Sequence, residues 1–254
     1  MIKYGMFVLL SFCLLSFVRA QDTFSIIALD SSRRSVGSAG ASCVDLVALK
    51  IEDASFLADH VPGVGGIHTQ AAYLVANQNK ALKALEAGEG AAEIIDILIG
   101  EDAEGNASIR QYGVVIFGQN RPQVAAFTGD SCLVEKHHIT GDINGMYYSV
   151  QGNILSSPKI LQSMESAFRM TEGDLACRLM AAMQAANMVG ADARCSVEKT
   201  SSLFSFLKLT EATDAAGQPS LSVEVSLPSG SGAEPIDSLQ ILFNKKHPCG
   251  AYSD

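Results

Sequence analysis

Residues 23–30, Thr-Phe-Ser-Ile-Ile-Ala-Leu-Asp, carry apolar side chains on both rows of a two-residue period. Phe24, Ile26 and Ala28 fall on one face, and Ile27 and Leu29 on the other, where Thr23 and Ser25 continue the row. A strand apolar on both faces belongs in the middle of a packed structure. Turn residues 30–34 close it, and a second short apolar run follows at 35–41. Residues 42–60 alternate imperfectly and read as a connection or short edge strand. The glycine-dense stretch 62–70 can bring backbone N–H groups up to a ligand or give a strand entry its unusual backbone angles; it lacks the P-loop ending and dinucleotide spacing.

Thr69 is placed to cap a helix reaching about Ala87, with Leu74, Ala81, Leu82 and Leu85 at helical spacing. Gly88 and Gly90 stop it, and a second helix with Ile94, Ile95, Leu98 and Ile99 runs to Gly100. A polar loop, 101–108, holds the sequon at Asn106. The apolar runs 111–118 and 123–129 predict a hairpin, and 145–150 a further strand. A helix starts near Ser157, with Pro158 in its first turn and Ile160, Leu161, Met164, Ala167 and Phe168 on one face. Residues 171–174 resemble a capping box for the next helix, which ends at Gly190. Strands return at 203–209 and 221–227, with a flexible loop at 229–232. This order predicts one α+β domain over 21–245, two packed antiparallel sheets flanked by helix pairs, and a C-terminal tail at 246–254.

The first twenty residues read as a secretory signal: Lys3, an apolar stretch from Met6 to Val18 shorter than a spanning helix needs, and a small-residue cleavage site ending at Ala20. No later segment is long enough to span. The chain is thus expected to be secreted or periplasmic, with no stable membrane anchor after cleavage. Removing Lys3 and Arg19 with the leader leaves 16 basic against 27 acidic residues, a net charge of about −11. Without a basic cluster, such a chain excludes nucleic acid as a partner. Cys13 leaves with the signal, and the remaining Cys43, Cys132, Cys177, Cys195 and Cys249 allow at most two disulfides. Cys177 lies in an apolar helical pattern and reads as a buried thiol, whereas a Cys195–Cys249 bridge is conceivable as a staple for the tail. No C-x-x-C pair exists, and His137 and His138 in a polar stretch read as solvated loop, so neither metal nor cofactor is expected.

Seven blocks occur in the order and spacing of one family: TFSIIALD (23–30), GVGGIHTQ (63–70), RQYGVV (110–115), AAFTGDSC (125–132), QGNIL (151–155), GDLACRLMAAM (173–183) and GADAR (190–194). Over roughly residues 23–245 the chain resembles the domain of unknown function 1028 family, which is grouped with the N-terminal nucleophile (Ntn) hydrolases. The resemblance implies a four-layer αββα sandwich. It also implies a Thr nucleophile whose own α-amine, with a pKa near 8, is tethered beside it as base. The matching residue is Thr23. Cleavage after Ala20 leaves Gln21 and Asp22 ahead of it, so its nitrogen would be a peptide amide until two more residues are removed. Other matched positions are site-wall candidates: Gln70, to present an amide to an oxyanion or to cap a helix; Asp130 and Asn153, at strand ends; Asp192 and Arg194, as a carboxylate clamp or an ion pair. Two readings follow, a secreted amidohydrolase acting on a small amide or peptide-like substrate, and a non-catalytic binding or assembly module; a homodimer is expected under either.

Overall fold

The structure is a computed structural model that describes residues 23–250. The expected signal sequence at 1–20 and its expected cleavage point, Gln21 and Asp22, and residues 251–254 lie outside the described residues. The elements run β1 (Thr23–Asp30), β2 (Ser35–Ser42), α1 (Leu46–Leu49), β3 (Ala58–Val61), β4 (Gly65–Ala71), α2 (Val75–Glu86), α3 (Ala91–Gly100), β5 (Arg110–Ile116) and β6 (Gln123–Thr128). They continue β7 (His137–Ile143), β8 (Met146–Gly152), α4 (Lys159–Met170), α5 (Leu175–Ala185), β9 (Phe204–Glu211), β10 (Leu221–Ser226) and α6 (Pro235–Lys246).

Two antiparallel sheets result, one of six strands in the order β10-β9-β2-β1-β8-β7 and one of four, β3-β4-β5-β6. β1 is central, paired with β2 on one side and β8 on the other. Its two rows separate as the alternation predicts. Phe24, Ile26 and Ala28 join a core with residues of α4, α5 and α6, among them Phe168, Leu179 and Phe243. Ile27 and Leu29 instead meet Val36 of β2 together with Val115 and Phe117 of the other sheet. On its opposite face, the four-stranded sheet packs Ile67, Tyr112 and Val114 against α2 and α3 through Leu85, Ile94 and Leu98. Among the described residues no helix is long and apolar enough to cross a membrane.

Several expectations need correction. Thr69 does not cap a helix: it lies in β4, where its hydroxyl bonds to Gln78, and α2 begins six residues later at Val75. The glycine-dense stretch, by contrast, is the turn and strand entry that one of its two readings expects. Gly63 has φ +72°, and a Cβ on Gly65 (φ +156°) would sit 2.2 Å from the Val115 carbonyl oxygen. Residues 137–143 form β7 rather than a solvated loop. His137 is exposed, but His138 is partly buried, with Nδ1 2.8 Å from Thr128 Oγ1. The cap of α5 is Asp174, which accepts from Cys177 N at 3.0 Å; Thr171 instead ends α4. Among the described residues α6 adds a third helix to the large sheet, where a pair was expected. It starts at Pro235 under the Glu234 cap and buries Ile236, Leu239 and Phe243.

The cysteine readings also change. Cys195 is bonded to Cys43, not Cys249, and Cys177 is no thiol but half of a bridge to Cys249. The apolar pattern around Cys177 is real, since it packs in the α5 core, but it also stands in the first turn of that helix where the chain returns after α6. The start of the expected tail is therefore covalently held.

Candidate functional site

The head of β1 is where most of the singled-out residues meet. Thr23 is 1% exposed and pairs across β2 with Ser42; its carbonyl accepts from Gln70 Nε2 and from the backbone N–H of Asn153, both at 3.2 Å. The even row of β4 and the odd row of β5 point into the space between the sheets, and this brings Gln70 and Gln111 under Thr23. Gln70 Oε1 accepts from Ser25 Oγ at 2.6 Å, and its Nε2 donates to Gln111 Oε1 at 2.7 Å. Gln111 Nε2 lies within 3.0 Å of the carbonyls of His137 and Gly152 and 2.9 Å from Thr128 Oγ1, tying both sheets together. From Ser25 the chain of bonds continues to Gln151 Nε2 and then from Ser149 Oγ to Gln151 Oε1, each 2.7 Å.

Asn153 leaves β8 just beyond Gly152, fully buried. Its Nδ2 donates to Gln111 Oε1 at 3.1 Å, while its Oδ1 has no hydrogen-bond partner. A buried amide oxygen without a donor costs about 1–3 kcal/mol. The backbone on either side of this cluster is also strained: Ala71, next to Gln70, has φ +57°, and β-branched Ile154, next to Asn153, has φ +52°. Left-handed conformations at non-glycine residues cost about 1–3 kcal/mol each and gather at functional sites.

Asp192 and Arg194 close the other side. The sequence Asp192-Ala193-Arg194 forms a tight turn in which Asp192 caps the short 3-10 turn Ala193–Ser196. The carboxylate accepts from Arg194 Nε at 3.0 Å and Nη2 at 2.6 Å, and from Cys43 N at 2.8 Å. Arg194 Nη2 reaches Ser42 Oγ at 3.2 Å, and the Cys43–Cys195 disulfide holds this turn against the end of β2. The Asp192 side chain is buried, whereas Arg194 stays about one-third exposed.

Five of the six expected positions are thus together: Thr23, Gln70, Asn153, Asp192 and Arg194. Asp130 is not among them, because it sits exposed past the end of β6 with its carbonyl held by Lys136. Gln70 does not open a helix and has no N–H left for an oxyanion; it fixes the Thr23 carbonyl instead. Ser25, Ser42, Gln111 and Gln151 join the cluster without having been singled out. Their signal was polar character on strand rows that face inward. Two surface concavities, one along Lys159, Gln162 and Ser166 and one around Gly90, Arg121 and Gln123, are lined by none of these residues.

A second buried polar group lies farther along the inter-sheet space. His60 contacts Ser38 Oγ at 2.8 Å and Thr210 Oγ1 at 2.9 Å, Lys208 Nζ donates to the Ala58 carbonyl, and His68 stacks on Phe206 with neither ring nitrogen bonded. Burial, and next the Lys208 charge, hold His60 well below its ordinary range and His68 at about 3. Burial also lowers the Lys208 ammonium, against the pull of Asp59, Asp53 and Glu224.

The sequence matches a model described as "Family of unknown function (DUF1028)" over residues 23–225, from the first residue of β1 almost to the end of β10. The fold is similar to a crystal structure of protein SPO2555 from Silicibacter pomeroyi, of that same family model, with a TM-score of 0.66 and 21% identity over 88% of each chain. No curated protein matches the sequence. The family match spans all but one helix of the described fold, and the chain belongs to this DUF1028 family of unknown function.

Proposed function

We propose that the protein is an extracytoplasmic Ntn-type amidohydrolase with Thr23 as nucleophile, built on an Ntn-like four-layer sandwich. The observation that carries this reading is the unpartnered Asn153 Oδ1, buried between strained backbone and the head of β1. An amide oxygen kept without a donor fits an N–H of a free α-amine at Thr23, present once the residues ahead of it are removed. Facing sheets with helices on both outer sides support the architecture.

In the proposed reaction the Thr23 α-amine takes the hydroxyl proton as Oγ bonds to the substrate carbonyl carbon. The same amine returns a proton to the leaving nitrogen as the C–N bond breaks, and water then splits the ester to release the acid and restore the hydroxyl. Asn153 and Gln70 act as positioning residues through the amine and the Thr23 carbonyl. Arg194, about one-third exposed and paired with Asp192, is placed to meet an anionic or carbonyl group of a small amide or peptide-like substrate.

The test begins with intact mass and terminal sequencing of the protein secreted by its own host, followed by an amide-substrate screen. A chain beginning at Thr23, with turnover abolished in Thr23→Ala and the melting temperature nearly unchanged, is the expected result. Turnover retained by Thr23→Ala overturns the reading. A second reading, a non-catalytic binding or assembly module, is favoured by the 1% exposure of Thr23, which leaves no room for an approaching substrate while residues precede it. Under that reading the mature chain keeps Gln21, and ligand or partner affinity survives extension of the N-terminus.

A further inference from the structure

We infer that Asp174, Cys177, His247 and Cys249 form a binding site for a thiophilic divalent cation, zinc in the first instance, when the Cys177–Cys249 disulfide is reduced. The site lies where the C-terminal segment returns to α5, away from the Thr23 cluster, and does not depend on the hydrolase reading. Ligand atoms of Asp174, Cys177 and His247 all lie within 4.8 Å of one another, and Cys249 is bonded to Cys177. A disulfide needs neither a carboxylate nor an imidazole beside it. A zinc ion needs both thiolates and two more donors, and these four side chains supply the two-sulfur, one-nitrogen, one-oxygen set of a tetrahedral centre.

The local structure favours that use. Asp174 Oδ1 is spent on the Cys177 N–H at 3.0 Å, which fixes the carboxylate and leaves Oδ2 aimed at His247 Nε2, 2.8 Å away. Cys177 occupies the first turn of α5, an eleven-residue helix whose N-terminus favours a thiolate. Gly173 (φ +114°) leaves room for the sulfur: a Cβ there would stand 3.3 Å from Cys177 Cβ and 3.8 Å from Sγ. His247 follows the last turn of α6, its N–H bonded to the Phe243 carbonyl at 2.7 Å and its ring against Phe243. Its position is therefore set by the helix and not by the disulfide.

The balance is simple. A dithiol reductant delivers two electrons and two protons to the Cys177–Cys249 bond, giving two thiols and an oxidised dithiol. The cation then displaces both thiol protons and the proton or hydrogen bond between His247 and Asp174. Disulfide and metal are alternative clasps for one C-terminal segment, the first in an oxidising compartment and the second in a reducing one.

The experiment uses the full chain after signal removal, oxidised and reduced by a non-chelating phosphine, titrated with Zn2+ against a chromophoric chelator and with Co2+ by absorption. The expected result is one equivalent bound to the reduced chain with micromolar or tighter affinity, and none to the oxidised chain. Co2+ should give the thiolate charge-transfer and intense visible bands of a tetrahedral site, and Zn2+ should raise the melting temperature of the reduced protein. His247→Ala and Cys249→Ser should each weaken binding at least tenfold and abolish the melting shift. Because an unfolded chain also offers cysteine and histidine ligands, near-UV circular dichroism is recorded on the same samples. Zinc bound without restored tertiary signal, an octahedral cobalt spectrum, or binding unchanged in His247→Ala overturns the proposal.

Discussion

Replacing His68 with leucine removes a titratable group from the inter-sheet space and no well-formed hydrogen bond, because neither ring nitrogen meets hydrogen-bond geometry and the Gln70 side chain is only a weak neighbour. Burial and the Lys208 charge hold folded His68 at about 3, with Gln70 pulling the other way, against an ordinary 6.5. The groups facing it are the buried ammonium of Lys208 from β9, His60 from β3 and the ring of Phe206. Between pH 6.5 and 3 the unfolded chain carries a proton on this residue and the folded chain does not. Since the unfolded state binds more protons, stability present in full above about 6.5 is lost as pH falls toward 3. At pH 4.5 this residue alone costs about 2–3 kcal/mol, against a typical domain stability of about 5–15 kcal/mol.

His68→Leu should therefore lie within about 1.5 kcal/mol of the wild type at pH 7.5, a hydrophobic replacement of similar bulk. At pH 4.5 it should gain about 2–3 kcal/mol relative to the wild type, measured by urea unfolding at both pH values with the m-value checked for constancy. His60 shifts in the same direction but is present in both proteins, so the difference isolates His68. Equal losses of stability between pH 7.5 and 4.5 in the two proteins would refute the reasoning, because the folded state would then accept the proton.

Gly113→Ala should destabilise by about 1–3 kcal/mol through overpacking. The new Cβ would meet Gln151 Oε1 at 2.4 Å and Ser149 Oγ at 2.9 Å, between the sheets; an unchanged melting temperature would show that the sheets separate there at no cost. Replacing Cys43 and Cys195 together by serine opens a link spanning 152 residues of sequence, for which chain entropy gives about 4–5 kcal/mol. The expected drop in denaturant midpoint should match that of the wild type on selective reduction of this bridge, and a midpoint insensitive to both would remove the disulfide from the account of how Asp192 and Arg194 are held.

The strands of the large sheet other than β7 were legible because burial leaves a two-residue signature: the rows of β1 separate in the fold as they do in the sequence. The start of α2 was misplaced because no glycine or proline separates β4 from the helix; the break is the strained Ala71 and the three residues after it, which no propensity reports. β7 carries half-exposed alternation with two histidines, and only pairing with β8 defines it. α6 had a readable start, Glu234 followed by Pro235 and then Ile236, Leu239 and Phe243, but it lies beyond the glycine- and serine-rich loop at which the expected elements stopped.

Positions in the candidate site were easier to find than their roles. Asp192 and Arg194 stand two residues apart, so an ion pair is a local matter and was visible. Gln70 and Gln111 come from adjacent strands of the small sheet and Asn153 from the end of β8 in the large one, and what each can do depends on which amide atoms are already committed. Gln70 has both N–H groups spent, on Thr23 and Gln111, and this converts a presumed oxyanion donor into a brace for the strand bearing the candidate nucleophile. Asn153 spends one N–H on the same Gln111 oxygen and keeps its own oxygen bare. Gln70 and the backbone N–H of Asn153 both meet the Thr23 carbonyl, and a site organised around that residue's backbone rather than its hydroxyl alone is what the proposed tethered amine would require.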